Sequence, residues 1–123
     1  MDRSEFIDVV EKAVEGLPDE FRSRLDNVAV VVEDWPTEEQ LRTLRVRGTL
    51  FGLYEGVPQT KRGAHYSALP DKITIFQGPI TRYAVDESDM IRQIQSTVEH
   101  EIGHHFGLNE AQAQRRDRRK RNK

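Results

Sequence analysis

The segment His100-Glu101-Ile102-Gly103-His104, followed by Gly107 and Glu110, constrains this chain more than any other. It reads HExxHxxGxxE and brings two imidazoles, a spare carboxylate, a turn glycine and a further acid into eleven residues. Chance would produce that pattern in roughly one chain in ten thousand of this composition, so the usual false-positive risk of a short motif is small. Histidines four apart meet only on a helix, where residues one turn apart are neighbours. Any fold for this chain must therefore carry a helix through residue 104 and offer it a surface to bury.

The surface it buries can be read from the same stretch. With Ile91 placed at zero and about 100° per residue, Ile94, Val98 and Ile102 fall within about 60° of it on either side and form an apolar stripe. His100 and His104 lie at about 180° and 220°, opposite that stripe, close enough to share one tetrahedral ion. Glu101, at about 280°, stands beside them, placed to touch a water on the metal in place of the metal itself. Glu110 cannot join the histidines if the helix continues, because it would be rotated by about 240° from His104 and displaced by roughly 9 Å along the axis. Gly107 suits the left-handed conformation that ends helices, and Leu108-Asn109 would then carry Glu110 back.

These residue types point to hydrolytic metal chemistry. The chain has no cysteine, so a metal must be held by histidine and carboxylate. Three protein ligands (His100, His104 and Glu110) leave a fourth position on one zinc ion for a water whose pKa falls to about 7. Glu101 then serves as general base and hands the proton to a leaving amine.

Around the motif, Phe6, Val9, Val10, Ala13, Val14 and Leu17 make one face of an N-terminal helix, capped by Ser4 or Asp2 and ended by Gly16 and Pro18. A short helical piece over 19–25 follows. Val28 to Val32 reads as a buried strand, broken by Trp35-Pro36. Thr37 and Gln40 have capping-box spacing, which predicts a short helix to about Val46. Leu50 to Tyr54 reads as a second strand, and Glu55 to Asp71 as a long loop containing Gly56, Pro58, Gly63 and Pro70. Lys72 to Gln77 alternates as a half-exposed strand does, ended by Gly78-Pro79; it is either an internal strand or an edge to which a peptide can add. Asp86 or Ser88 caps the longest helix, which runs to Leu108, and Asn109 can cap a short C-terminal helix through Ala111, Gln112 and Ala113.

Several polar residues near the motif allow two readings. His105 falls at about 320° on the wheel, beside the apolar stripe, where a packed histidine is favoured over a ligand. His65, Tyr66 and Tyr83 can each donate to an oxyanion, or serve only in loops and packing.

At 123 residues the chain has room for one domain, placed over residues 1–114. The net charge of −2 conceals an asymmetry: residues 115–123 hold seven Lys or Arg against one Asp, or +6, and the remaining 114 hold twelve against twenty, or −8. Such a basic tail is expected to be disordered. It is either a solvated appendage or an attachment point for an acidic partner or nucleic acid. The first residues lack a secretory signal and no stretch approaches a membrane span, so no membrane partner and a cytoplasmic location are expected.

The motif, together with Leu50 to Pro58, Leu69 to Ile75 and Val98 to Gly107, resembles the small bacterial minimal-zincin metallopeptidases over about residues 4–114. That resemblance implies an α+β fold, with a small mixed β-sheet packed against the active-site helix and the metal between helix and sheet edge. It also implies His100 and His104 as zinc ligands and Glu101 as general base. Relatives commonly carry an acid, often Asp, at the third ligand position; Glu110 is one methylene longer. The chain departs from metzincins, which place a methionine turn downstream of the motif, whereas Met1 and Met90 both lie upstream.

The function expected is therefore a zinc-dependent metallopeptidase acting on peptides or unfolded protein segments. A metal-dependent RNA-processing hydrolase is the chief rival, since some such enzymes share the ligand spacing; they lack a glutamate after the first histidine. A non-catalytic, zinc-stabilised interaction module is the third reading.

Overall fold

The computed structural model describes residues 1–47, 50–57 and 70–107, with residues 45–47 described by their backbone alone. Helix α1 spans Arg3–Glu15 and is capped by Asp2, whose side chain accepts the Glu5 N–H at 2.8 Å. Its predicted face is the buried one: Phe6, Val9, Val10 and Ala13 are at most 5% exposed, and Leu17 follows at 4%. Helix α2 (Asp19–Arg22) runs into a 3-10 turn over Ser23–Leu25 and adds Phe21 to the core.

Strand β1 (Val28–Glu33) leads to helix α3 (Glu38–Arg47). The capping box at the start of α3 is formed in both directions, with the Thr37 N–H on Gln40 Oε1 at 2.9 Å and the Gln40 N–H on Thr37 Oγ1 at 3.1 Å. Strand β2 covers Gly52–Glu55, two residues beyond the expected start, with Leu50 and Phe51 in the turn before it. Strand β3 covers Asp71–Phe76.

The three strands form one mixed sheet in the order β1-β3-β2, parallel between β1 and β3 and antiparallel between β2 and β3. This order corrects two expectations. β1, read as buried, is half-buried along its whole length because it lies at the edge of the sheet. β3, read as half-exposed, is the central strand, and Ile73, Thr74, Ile75 and Phe76 are all 0% exposed. Its alternation separates two buried faces instead of a core from solvent. Ile73 and Ile75 join the main cluster with α1 and α5, while Phe76 packs with Leu53 and Leu44 in a smaller one. Both edges of β3 are paired, which removes it as a docking edge for a peptide.

A further helix, α4 (Gln77–Tyr83), stands where the sequence reading placed only a break. Pro79 ends the strand yet falls in the first turn of α4, where a missing N–H costs no hydrogen bond. The indole of Trp35 covers Gly78, whose N–H binds Asp34 O at 2.9 Å.

Helix α5 (Glu87–His105) is capped by Asp86, which accepts the Asp89 N–H at 2.8 Å. Its stripe of Ile94, Val98 and Ile102 is 0% exposed. Side chains on α5 also run along β2. A Cβ on Gly52 would stand 2.6 Å from Thr97 Cγ2, Tyr54 meets Glu101, and a Cβ on Gly56 would stand 3.2 Å from His105 Cε1. Four helical residues advance about 6 Å and two strand residues about 6.6 Å, so this register holds over several contacts. Among the described residues, no helix is long and apolar enough to cross a membrane.

Candidate metal and catalytic site

The last two turns of α5 carry the motif. His100 and His104 are exposed, on the side of the helix away from the core, with ring centroids 4.4 Å apart and planes inclined at 56°. Two imidazoles on one tetrahedral zinc at ordinary Zn–N lengths have ring centres about 5 Å apart, close to the spacing of this pair. The donor set is borderline-soft nitrogen, as zinc prefers, and in this respect the residues fit the metal. Among the described residues, no group of three His, Cys, Asp or Glu side chains could hold an ion. Glu110, expected as the third ligand, lies outside the described residues.

Glu101 occupies a different environment from its neighbours. It is 3% exposed, and its Oε1 accepts the backbone N–H of Tyr54 at 2.9 Å. With Leu53, Tyr54, His104 and His105 it lines a small cleft of about 130 Å³ that opens to solvent. The strand and the helix therefore meet at this carboxylate, with one exposed histidine just before it in the helix and the other a turn after.

The helix ends as the glycine predicts, though sooner than Leu108. Phe106 is the C-cap, its N–H on Ile102 O at 2.9 Å, and Gly107 takes φ +75°. That is the left-handed conformation, and among the described residues only glycine adopts positive φ. Leu108, the expected C-terminal helix, His65, Tyr66 and the tail 115–123 all lie outside the described residues.

Tyr54 and Asp71, to which the sequence assigns no part in the site, frame it together with His105. The Tyr54 hydroxyl donates to Asp71 Oδ2 at 2.7 Å, and the Val57 N–H donates to Asp71 Oδ1 at 2.9 Å. His105 stacks on the Tyr54 ring, with centroids 3.9 Å apart at 20°, and its Nε2 stands 3.6 Å from Asp71 Oδ2. His105 is thus a packed histidine, as its place on the wheel suggested, and it also faces a carboxylate. Phe106 packs edge-on against His105 at 4.9 Å, under the guanidinium of Arg24. Tyr83, weighed as an oxyanion donor, is 62% exposed and packs its ring on Phe51 at 5.3 Å. No local pattern singles out Tyr54 or Asp71, since each partner comes from a distant segment.

The profile of the zincin-like metallopeptidase family matches residues 25–119, which include every motif position from His100 to Glu110. No curated protein matches the chain. A solved structure, of a conserved hypothetical protein from Thermo thermophilus, shares the fold with a TM-score of 0.53 and 24% identity; the match covers 93% of this chain and 99% of that one. With a mixed α+β fold, an exposed i, i+4 histidine pair and a family match over most of its length, the chain belongs to the zincin-like metallopeptidases.

Proposed function

We propose that the protein is a zinc-dependent metallopeptidase that hydrolyses peptide bonds in peptides or unfolded segments, with His100, His104 and Glu110 as metal ligands and Glu101 as general base. The observation that carries this reading is the contrast within the last turns of α5: two solvent-facing imidazoles, His100 and His104, flank a buried carboxylate, and His104 lines the same cleft as that carboxylate. Zinc held there supplies Lewis acidity and an acidified water.

The chain's own residues do the rest. Glu101, held at Oε1 by Tyr54, takes the proton from the attacking water and returns it to the leaving amine nitrogen as the C–N bond breaks. A carboxylate so restrained loses little orientational freedom on reaching the transition state. An RNA-processing site with the same ligand spacing has no task for an acid at 101, which favours the peptidase. The domain has little material for deep specificity pockets, in keeping with extended or unfolded substrates.

Metal content measured on wild type and Glu110→Ala, followed by hydrolysis of a denatured protein and of single-stranded RNA, tests the reading. One zinc per wild-type chain, less in the variant, and proteolysis abolished by Glu101→Gln are expected. RNA cleavage that survives Glu101→Gln would overturn the peptidase.

A further inference from the structure

Tyr54 is attached at both ends. Its backbone N–H holds the carboxylate of Glu101, and its hydroxyl is held by Asp71 at 2.7 Å. Between them lies the ring of Tyr54, a residue only 7% exposed, stacked on His105, the residue after His104. Asp71, whose side chain is 13% exposed, also takes the Val57 N–H and faces His105 Nε2. One carboxylate at the start of the central strand therefore gathers β2, the chain leaving β2 and the last turn of α5. A largely buried carboxylate is costly unless hydrogen-bonded; here Tyr54 of β2 and Val57 just beyond it donate to Asp71, and His105 Nε2 of α5 faces it at 3.6 Å.

We infer that Asp71 is a positioning residue for Glu101, acting through Tyr54 and, on the helix side, through His105. The inference rests on the peptidase reading for its consequence, though not for its geometry. Asp71 fixes the Tyr54 hydroxyl, the buried ring transmits that constraint to the strand, and the Tyr54 N–H sets where the Glu101 carboxylate stands. The stacked His105 face keeps the helical turn bearing His104 on the same strand. Partners of this kind, one shell beyond the reacting groups, commonly change activity or metal affinity by about tenfold or more.

The test uses the full chain with Asp71→Asn and with Tyr54→Phe, which keeps the buried ring and removes only the hydroxyl. Amide hydrogen exchange in the metal-free protein should accelerate at position 54 by at least about fivefold relative to Ile73 and Ile75, the interior amides of β3. On zinc-loaded protein, kcat for a peptide substrate should fall about tenfold with KM unchanged, because the base and not the substrate contact is disturbed. Unchanged exchange at position 54, a rise shared equally by Ile73 and Ile75, or an unaltered kcat despite faster exchange overturns the proposal. Wild-type protein that turns over no peptide would remove the peptidase reading and leave the exchange result to decide the positioning by itself.

Discussion

Oε1 of Glu101 accepts the backbone N–H of Tyr54 at 2.9 Å, across 47 residues of sequence. The acid of the motif is thereby anchored to the sheet, while the histidines on either side of it face solvent. A buried N–H without an acceptor is costly, so this bond contributes to folding as well as to the site.

Replacing Glu101 separates those two contributions. Glu101→Gln keeps an acceptor for Tyr54 and should leave stability nearly unchanged while abolishing hydrolysis. Glu101→Ala strands the Tyr54 N–H and should cost about 1–3 kcal/mol. Urea denaturation of both variants measures the difference, and equal destabilisation by the two would show that the hydrogen bond contributes little.

Metal binding should appear as stability. Zinc at 100 times its dissociation constant adds about 2.7 kcal/mol if only the folded state binds it. A chelator should remove that increment from wild type and have no effect on His100→Ala or His104→Ala. Both histidines are exposed, so without metal each alanine variant should lie within about 0.5 kcal/mol of wild type. Thermal unfolding with and without chelator supplies the comparison.

The approach of α5 to β2 depends on a missing side chain at position 52. A Cβ there would lie 2.6 Å from Thr97 Cγ2 and 3.0 Å from Thr74 O. Gly52→Ala should destabilise by about 2 kcal/mol through overpacking. Thr97→Ser deletes the clashing methyl and keeps the hydroxyl that binds Gln93 O at 2.8 Å. Added to Gly52→Ala, it should restore part of the loss, and a double-mutant cycle without coupling between the two sites would contradict this packing.

Gly107 tests the chain reversal. Its φ of +75° is unfavourable for any residue with a Cβ, and a Cβ there would meet nothing within 4 Å. Gly107→Ala should therefore cost about 1 kcal/mol from backbone conformation alone, and Gly107→Asn less. If the two variants are equally stable, left-handed strain is not the governing effect.

Much of the fold was legible because its causes are local. The α1 face from Phe6 to Ala13, the Thr37–Gln40 capping box and the stripe of α5 each depend on contacts a few residues apart, and the structure contains all three. Sheet order was not legible. The valine run of β1 suits a buried strand equally well, and only its edge position leaves it half-exposed. Helix α4 was missed because Gly78-Pro79 signals a strand break and, equally, a helix start.

The same division applies to the site. The sequence by itself determined that His100 and His104 share a helix face and that Gly107 ends the helix, because four-residue spacing and backbone strain act within one or two turns. Only the tertiary structure decided what Glu101 touches, why Tyr54 is buried, and that Asp71 and His105 close around it. Those contacts join β2, β3 and α5, and chain segments so far apart meet only when the sheet order and the helix register are set together.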